Sequence, residues 1–277
     1  MDDCYLSVNF KIKPSYGIEI LLAELSHLGF EMFVEKHDGL IAYIKNSDFS
    51  DKLFNKVRIL NSNEFNIDYQ IKQVKNKNWN EEWEKNYDAV DINENCTVRA
   101  PFHKSSKKKF DIIIKPEMSF GTGHHETTRL MIDFLFEQNL KNKKICDIGC
   151  GTGILSIISE KIGAKSIEAV DIDINCFKNT LDNIKRNNCF KIKSWHSSSD
   201  VLVGNFYDVI LSNITLNKLK VNFENFKKIS NKKTIMILSG FYENDLAVIN
   251  KMLEKLNFKM SSYKVRNNWA ASTYFRM

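Results

Sequence analysis

Along the N-terminal part of the chain, the spacing of apolar side chains changes between a period of two and a period near 3.6. Tyr5–Ile12 alternates apolar and polar positions, as a half-buried strand does, whereas Tyr16–Leu28 places its apolar residues on one helical face. The pattern predicts six elements in the order strand, helix, strand, strand, helix, strand: Tyr5–Ile12, Tyr16–Leu28, Phe30–Val34, Leu40–Ile44, Ser50–Leu60 and Phe65–Gln73. This is the order of a ferredoxin-like α+β domain.

The next stretch connects this domain to a different pattern. Asn76–Tyr87 predicts a helix with Trp79 and Trp83 on one face. Packing of the two indoles against a domain is the simpler interpretation, and a contact with substrate or cofactor is the alternative. Asn93–Lys109 predicts a strand followed by a basic loop, which is more typical of a solvated turn than of a binding site.

From Phe110 onward, short buried strands alternate with amphipathic helices, which predicts an α/β fold with a doubly wound, Rossmann-like parallel sheet. We therefore predict three parts. A small ferredoxin-like domain occupies residues 1–74, a linker helix and strand occupy 75–100, and the doubly wound domain occupies 101–277.

A glycine-rich turn lies between a predicted strand, Lys144–Ile148, and a predicted helix, Ile154–Gly163. Its spacing is Gly-x-Gly-x-Gly at residues 149–153. A dinucleotide fingerprint has the spacing GxGxxG, and here Ile154 occupies the position of its third glycine. Asp147, just before the turn, can orient the loop and attract an ammonium group but is useless for a phosphate. The turn therefore favours a cofactor with an amino-acid end and no phosphates.

A carboxylate follows at the end of the next predicted strand, Ser166–Val170. Asp171 comes 20 residues after Gly151 and can accept hydrogen bonds from both ribose hydroxyls. Asp173 is the competing candidate, although it should lie beyond the strand. The simpler alternative is that Asp171 only caps the following helix.

Composition adds limits. The 277-residue chain carries a formal net charge of +6, which is compatible with an RNA-rich partner and equally with a general abundance of lysine. Its six cysteines show no CxxC pair, so we expect reduced thiols and no metal site. The start of the chain lacks a signal peptide and no apolar run is long enough for a bilayer. We therefore expect a cytoplasmic protein without a membrane partner.

Several motifs together resemble a known family. The glycine turn with Asp171 looks like a class I S-adenosylmethionine-dependent methyltransferase. More specifically, the chain resembles the bacterial enzymes that methylate protein eleven of the large ribosomal subunit, and the likeness covers nearly its whole length. The motifs that carry this resemblance are a Ser-Phe-Gly-Thr-Gly-His-His run, a tryptophan pair, an Asn-Ile strand end and a late Leu-Ser-Gly: residues 118–128, 78–83, 211–214 and 238–240.

The resemblance implies S-adenosylmethionine as the cofactor, with contacts from Thr128, Gly149, Asp171 and Asn213. Thr128 is expected to open a helix, where its hydroxyl and nearby N–H groups can meet a carboxylate. Asn213, at a strand tip, is the candidate for orienting the amine, and no general base is assigned. The family usually has Thr and Pro where this chain has His124 and Glu126, so the contacts of that loop stay open.

The resemblance further implies that residues 101–277 form the methyltransferase domain and that residues 1–74 recognise the substrate. The implied reaction is methylation of lysine, and of N-terminal amines, on the large-subunit ribosomal protein eleven, with transient ribosome contact and no stable nucleic-acid partner. Two alternatives stay open: an RNA methyltransferase, to which the net positive charge adds some weight, and a non-catalytic binding module on a Rossmann-like scaffold. Intact Gly149, Asp171 and Asn213 argue against the second.

Overall fold

The computed structural model describes residues 5–62, 64–74, 87–117 and 119–277. Contacts divide the chain into two compact units, residues 1–86 and 87–277. The linker helix predicted for Asn76–Tyr87, which includes Trp79 and Trp83, lies outside the described residues except for Tyr87. The strands between residues 90 and 99, which the sequence analysis assigned to the linker, belong to the second unit.

The described residues of the first unit form four strands and one α-helix. They are β1 (Tyr5–Lys13), α1 (Gly17–Ser26), β2 (Met32–Lys36), β3 (Gly39–Lys45) and β4 (Asn66–Val74). The sheet has the antiparallel order β2-β3-β1-β4, in which β1 pairs with both β3 and β4. Alternate residues of β1 are buried in one apolar cluster with residues of α1, which explains the period of two.

The predicted second helix at Ser50–Leu60 was wrong in type. The segment forms two 3₁₀ helices, Asp51–Lys56 and Arg58–Asn61, separated by Val57 in an extended conformation. Val57 is fully buried in the core of this unit, so packing of its branched side chain takes precedence over a continuous helix.

The second unit begins with a three-stranded sheet of order β5-β6-β7, formed by Val90–Asn93, Cys96–Arg99 and Phe110–Ile113. The strand predicted to follow Asn93 is β6, and it forms a hairpin with β5. The elements that follow are α2 (Glu126–Glu137), β8 (Lys144–Ile148), α3 (Ile154–Lys161), β9 (Ser166–Asp171), α4 (Ile174–Arg186), β10 (Ile192–His196), β11 (Tyr207–Asn213), α5 (Leu216–Lys228), β12 (Ser230–Tyr242), α6 (Leu246–Glu254), β13 (Phe258–Arg266) and β14 (Trp269–Arg276).

Strands β8 to β14 form one seven-stranded sheet of order β10-β9-β8-β11-β12-β14-β13. The five strands from β10 to β12 are parallel, and β14 and β13 are antiparallel. Neighbouring residues of β11 enter different apolar cores: Val209 and Leu211 pack on one face with α2 and α3, whereas Ile210 packs on the other with α5 and α6. Burial on both faces explains the continuous apolar strands, and the doubly wound prediction is confirmed.

A row of asparagines on α4 holds the segment after β7. Asn183 and Asn187 lie four residues apart, and their side-chain oxygens accept from the backbone N–H groups of Lys115 and Ile113 at 2.9 and 2.8 Å. The Asn183 amide also donates to Thr152 O in the glycine-rich turn, at 3.0 Å. These contacts connect the glycine-rich turn to the segment after β7, which continues towards the loop at residues 119–125.

Substitution of Asn183 by alanine should destabilise the second unit. It leaves the Lys115 N–H and the Thr152 carbonyl without these partners, so we expect the free energy of unfolding to fall by about 3 kcal/mol. The measurement is urea unfolding together with hydrogen exchange at the Lys115 amide. Asn175→Ala, at an exposed position of the same helix, is the control. Equal effects of the two substitutions would contradict the assignment.

Within the described ranges, no helix is long and apolar enough to cross a membrane.

Candidate functional site

A cavity of about 1300 Å³ opens at the carboxyl ends of the parallel strands in the second unit. Ligands of doubly wound sheets bind at this edge. The residues that line it come from many elements and include Gly149, Asp171, His196, Asn213, Gly240 and Trp269. Three of the four predicted cofactor contacts, Gly149, Asp171 and Asn213, are thus brought to one cavity.

The glycine turn needs residues without a Cβ. Gly149 and Gly151 have φ values of 76° and 57°. A Cβ on Gly149 would lie 2.2 Å from Cγ2 of Ile214, and one on Gly151 would lie 2.3 Å from the carbonyl oxygen of Phe120. The bare backbone therefore lets the residue after Asn213 and the loop at Phe120 approach the turn closely.

Asp171 ends β9 and faces the turn. Its Oδ2 accepts from the backbone N–H of Gly151 at 2.9 Å, and its Oδ1 accepts from the N–H of Asp173 at 3.0 Å. Asp173 is the N-cap of α4 and accepts from the N–H of Asn175. Helix capping therefore belongs to Asp173, and each oxygen of Asp171 keeps a lone pair for a ribose hydroxyl.

Asn213 ends β11 at the same edge. Its Oδ1 is buried and has no hydrogen-bond partner among the described residues, although the residue lines the cavity. The neighbouring Ser212 donates from its hydroxyl to Ile148 O at 2.9 Å, which holds the end of β11 against β8. A buried acceptor without a partner is costly, so the Asn213 oxygen is suited to accept from a ligand.

Thr128 differs from its predicted position. The helix α2 begins at Glu126, and its N-cap is His125, whose Nδ1 accepts from the N–H of Thr127 at 3.2 Å. Thr128 is therefore inside the first turn and fully buried, with no partner for its hydroxyl oxygen among the described residues. Thr127 rather than Thr128 is among the residues that line the cavity. The prediction missed the start because histidine is not among the preferred N-caps.

Asp147 lies below the turn and is fully buried. Its Oδ2 accepts from the Ser156 hydroxyl at 2.7 Å, while Oδ1 has no partner among the described residues. Burial, with a smaller effect of the nearby Asp171 carboxylate, raises the pKa of Asp147 from 3.8 to about 7. The Asp147 carboxylate is therefore bound to α3, and its role in orienting the loop stays a prediction.

The two residues that depart from the family pattern both make anchoring contacts. The Nε2 of His124 lies 3.1 Å from Asp88 O, and its Nδ1 lies 3.2 Å from the Thr122 hydroxyl. Glu126 forms an ion pair with Arg266, with 2.5 Å between Oε2 and Nε. The loop before α2 is thus tied to two other segments of the same unit.

The residues present fit S-adenosylmethionine. The glycine turn lets a ligand approach the backbone, and the Asp171 carboxylate can accept hydrogen bonds from a ribose. The buried oxygen of Asn213 can accept a hydrogen bond from a ligand, since it has no partner among the described residues. A doubly wound sheet with this cavity at its carboxyl edge defines the class of protein: a Rossmann-like methyltransferase.

Comparisons with known proteins identify the family. Residues 20–276 match the family described as ribosomal protein L11 methyltransferase (PrmA). A ribosomal protein L11 methyltransferase of Phocaeicola vulgatus is 37% identical over 273 residues, which cover 96% of this chain and 97% of that protein. The corresponding protein of Bacteroides thetaiotaomicron is 36% identical over 257 residues, covering 91% and 92% of the two chains. The chain therefore belongs to the ribosomal protein L11 methyltransferase family.

A solved structure agrees with the fold. The crystal structure of a ribosomal protein L11 methylase from Lactobacillus delbrueckii subsp. bulgaricus matches with a TM-score of 0.63 and 24% identity, covering 69% of this chain and 99% of that one. Family membership confirms the predicted activity: the protein is an S-adenosylmethionine-dependent protein methyltransferase.

Sequence analysis missed several residues of the cavity. His196 ends β10, and the rule that ligands bind at strand ends could have indicated it. Trp269 begins β14, far along the chain from the glycine turn, and no local pattern points to it.

Substitution of Gly149 by alanine should remove cofactor binding. The new Cβ would overlap Ile214 and occupy a backbone conformation that favours glycine, so we expect the affinity for S-adenosylmethionine to fall at least about tenfold. Isothermal titration measures this. Gly204→Ala is the matched control, because Gly204 also has a positive φ but nothing lies within 4 Å of its added Cβ. Unchanged affinity in Gly149→Ala would contradict the site.

The buried carboxyl group of Asp147 should make the free energy of unfolding depend on pH. Its pKa is raised from 3.8 to about 7 in the folded protein, so its stabilising contribution is complete below pH 3.8 and is lost as the pH rises through 7. In cofactor-free protein, the stability of Asp147→Asn relative to wild type should therefore increase across this range and level off above it. Urea midpoints between pH 4 and 8 measure the difference; a constant difference would refute this.

Proposed function

We propose that this protein transfers methyl groups from S-adenosylmethionine to lysine and N-terminal amines of the large-subunit ribosomal protein L11, in the cytoplasm. Family membership supports the protein substrate, since the matched relatives carry that substrate in their names. The single observation that carries the chemistry is the buried Oδ1 of Asn213 at the cavity, which has no hydrogen-bond partner in the described part of the chain.

Thr128, Gly149 and Asp171 are our candidates for holding the cofactor. The Asp171 carboxylate accepts from the ribose, and the backbone of Gly149 contacts the amino-acid end. Thr128 lies in the first turn of α2, and the positive end of that helix favours a carboxylate. When bound, S-adenosylmethionine supplies a methyl group that is already activated on a sulfonium.

Asn213 orients the methyl acceptor. An amide oxygen accepts an N–H of the substrate amine and leaves the nitrogen lone pair free to point along the line of transfer. Gly240 assists from β12, because a Cβ there would lie 2.1 Å from Ile214 O. The carbonyls of the turn after β11 can therefore lie close to the amine.

The amine must be neutral to attack. A lysine amine has a pKa near 10.4 in water. Transfer from water into the cavity lowers that pKa, because burial disfavours the charged form. Solvent can then take the proton, so the chain needs no general base among its side chains.

The N-terminal unit is our candidate for binding the substrate protein. It is a separate ferredoxin-like unit with its own apolar core. We propose a transient contact with ribosomal protein L11, or with the ribosome that carries it, and no stable nucleic-acid partner.

Purified ribosomal protein L11 should gain mass in steps of one methyl group when incubated with this protein and S-adenosylmethionine. Mass spectrometry locates the modified amines, and naked ribosomal RNA with labelled cofactor is the parallel reaction. Asn213→Ala should lower kcat for L11 by about 100-fold, because it removes the group that orients the amine. Label in RNA alone would favour the RNA alternative. Cofactor binding without any transfer would favour a non-catalytic module.

A further inference from the structure

Four aromatic rings form a continuous row at the cavity that Asn213 also lines, and we refer to Phe120, His125, Trp269 and Tyr242 as the aromatic wall. The ring centroids of Phe120 and His125 are 5.0 Å apart, and those of His125 and Trp269 are 4.8 Å apart. Tyr242 stacks on Trp269 at 4.2 Å with an interplanar angle of 29°. The first three residues line the cavity, and Tyr242 supports Trp269 while half its own surface stays exposed.

The order of strands separates Trp269 and Tyr242 from the nucleoside end of the cavity, whereas Phe120 lies next to the glycine turn. Asp171 lies at the end of β9, the glycine turn follows β8, and Asn213 ends β11. Trp269 and Tyr242 are paired across β14 and β12, on the far side of β11 from β9. Trp269 and Tyr242 therefore lie across β11 from Asp171, and we place the approach of the methyl acceptor on their side of Asn213.

Phe120 and Trp269 carry no titratable group, and the Nδ1 of His125 accepts from the N–H of Thr127. The carboxylates among the described cavity-lining residues are Asp171, Asp173 and Asp200, which belong to the end of β9 and to the segments after β9 and β10. An amine at the wall thus meets ring faces rather than an anion.

These observations fit the change that methylation makes in a substrate amine. Each added methyl group removes an N–H that could donate a hydrogen bond to Asn213, and it leaves a larger, more apolar ammonium ion. Aromatic faces attract such ions through their quadrupole, and they also contact the aliphatic stem of a lysine. A hydrogen-bond acceptor and a ring wall side by side can therefore hold the amine before and after methylation.

We propose that the aromatic wall is the acceptor subsite and binds methylated ammonium groups of the substrate by cation–π contact. This rests on the proposed function and names the part of the site that recognises the amine. Trp269 supplies the largest ring, and His125 meets it in an edge-to-face arrangement.

Glu126 is the positioning residue of this subsite. Its carboxylate pairs with Arg266 and accepts from the side-chain amide of Asn267 at 2.9 Å, two residues before Trp269. Glu126 follows His125 directly in the chain, and these contacts hold its side chain against the β13–β14 turn. It fixes the distance between the two rings that meet at 4.8 Å.

A binding experiment tests the subsite without turnover. The probe is N-acetyl-trimethyllysine amide, titrated into the protein saturated with S-adenosylhomocysteine and followed by NMR, and the control ligand is its neutral carbon isostere. We expect the cation to bind roughly tenfold more tightly than the isostere. Trp269→Leu should remove this preference and Trp269→Phe should keep part of it. Equal affinity for both ligands, binding of neither, or an unchanged preference in Trp269→Leu overturns the proposal.

Turnover of ribosomal protein L11 gives a second measurement. Trp269→Leu should raise KM for L11 about tenfold and shift the products towards fewer methyl groups per amine, with unchanged affinity for S-adenosylmethionine. Glu126→Ala should raise KM in the same way, and Glu126→Gln, which can still accept from Asn267, should recover part of the loss. Phe190→Leu, at an aromatic ring 88% exposed in the turn after α4, is the control.

The two proposals fail separately. If wild-type protein methylates no L11, the proposed substrate is wrong, while the ligand titration still decides the role of the wall. If wild-type protein methylates L11 and Trp269→Leu gives the same KM and product distribution, the proposed function stands and the acceptor subsite is wrong.

Discussion

Three successive amides of the glycine turn are bound to the end of the neighbouring strand, and the rest of the site depends on this contact. The N–H groups of Gly149 and Cys150 donate to Val170 O at 2.9 and 3.1 Å, and that of Gly151 donates to the Asp171 carboxylate. The bend can lie this close to β9 because its glycines adopt positive φ. One set of hydrogen bonds therefore shapes the turn and aims the carboxylate at the same cavity.

Around this contact, polar side chains connect segments that are distant in sequence. Thr152 donates from its backbone to Phe120 O and from its hydroxyl to Gly121 O, at 3.0 and 2.5 Å. Asn183 joins Thr152 to the strand extension at Lys115. Because these groups are buried, a missing partner would be expensive, so the loop at Phe120 and the turn move together. The cavity is thus bordered by segments that share their hydrogen bonds.

The site is also divided by chemistry. Carboxylates lie towards β9 and β10, Tyr242 and Trp269 lie on β12 and β14, and Asn213 is at the end of β11 between them. A parallel sheet with an antiparallel extension creates this division, since β14 brings Trp269 to the edge where the parallel strands end. The nucleoside and the methyl acceptor can therefore approach the same amide from opposite sides.

Local pattern alone determined the strands, the glycine turn and the acidic strand end, because each depends on residues that are neighbours in the chain. The periodicity of β8 and α3 and the spacing around Gly149 are signals of this kind. Only the tertiary structure decided that α2 starts at Glu126, that Val57 interrupts a helix, and that Trp269 and Thr127 enter the cavity. Those outcomes depend on packing and hydrogen bonds between segments that are distant in the chain. A sequence pattern does not show how close such segments lie in the folded protein.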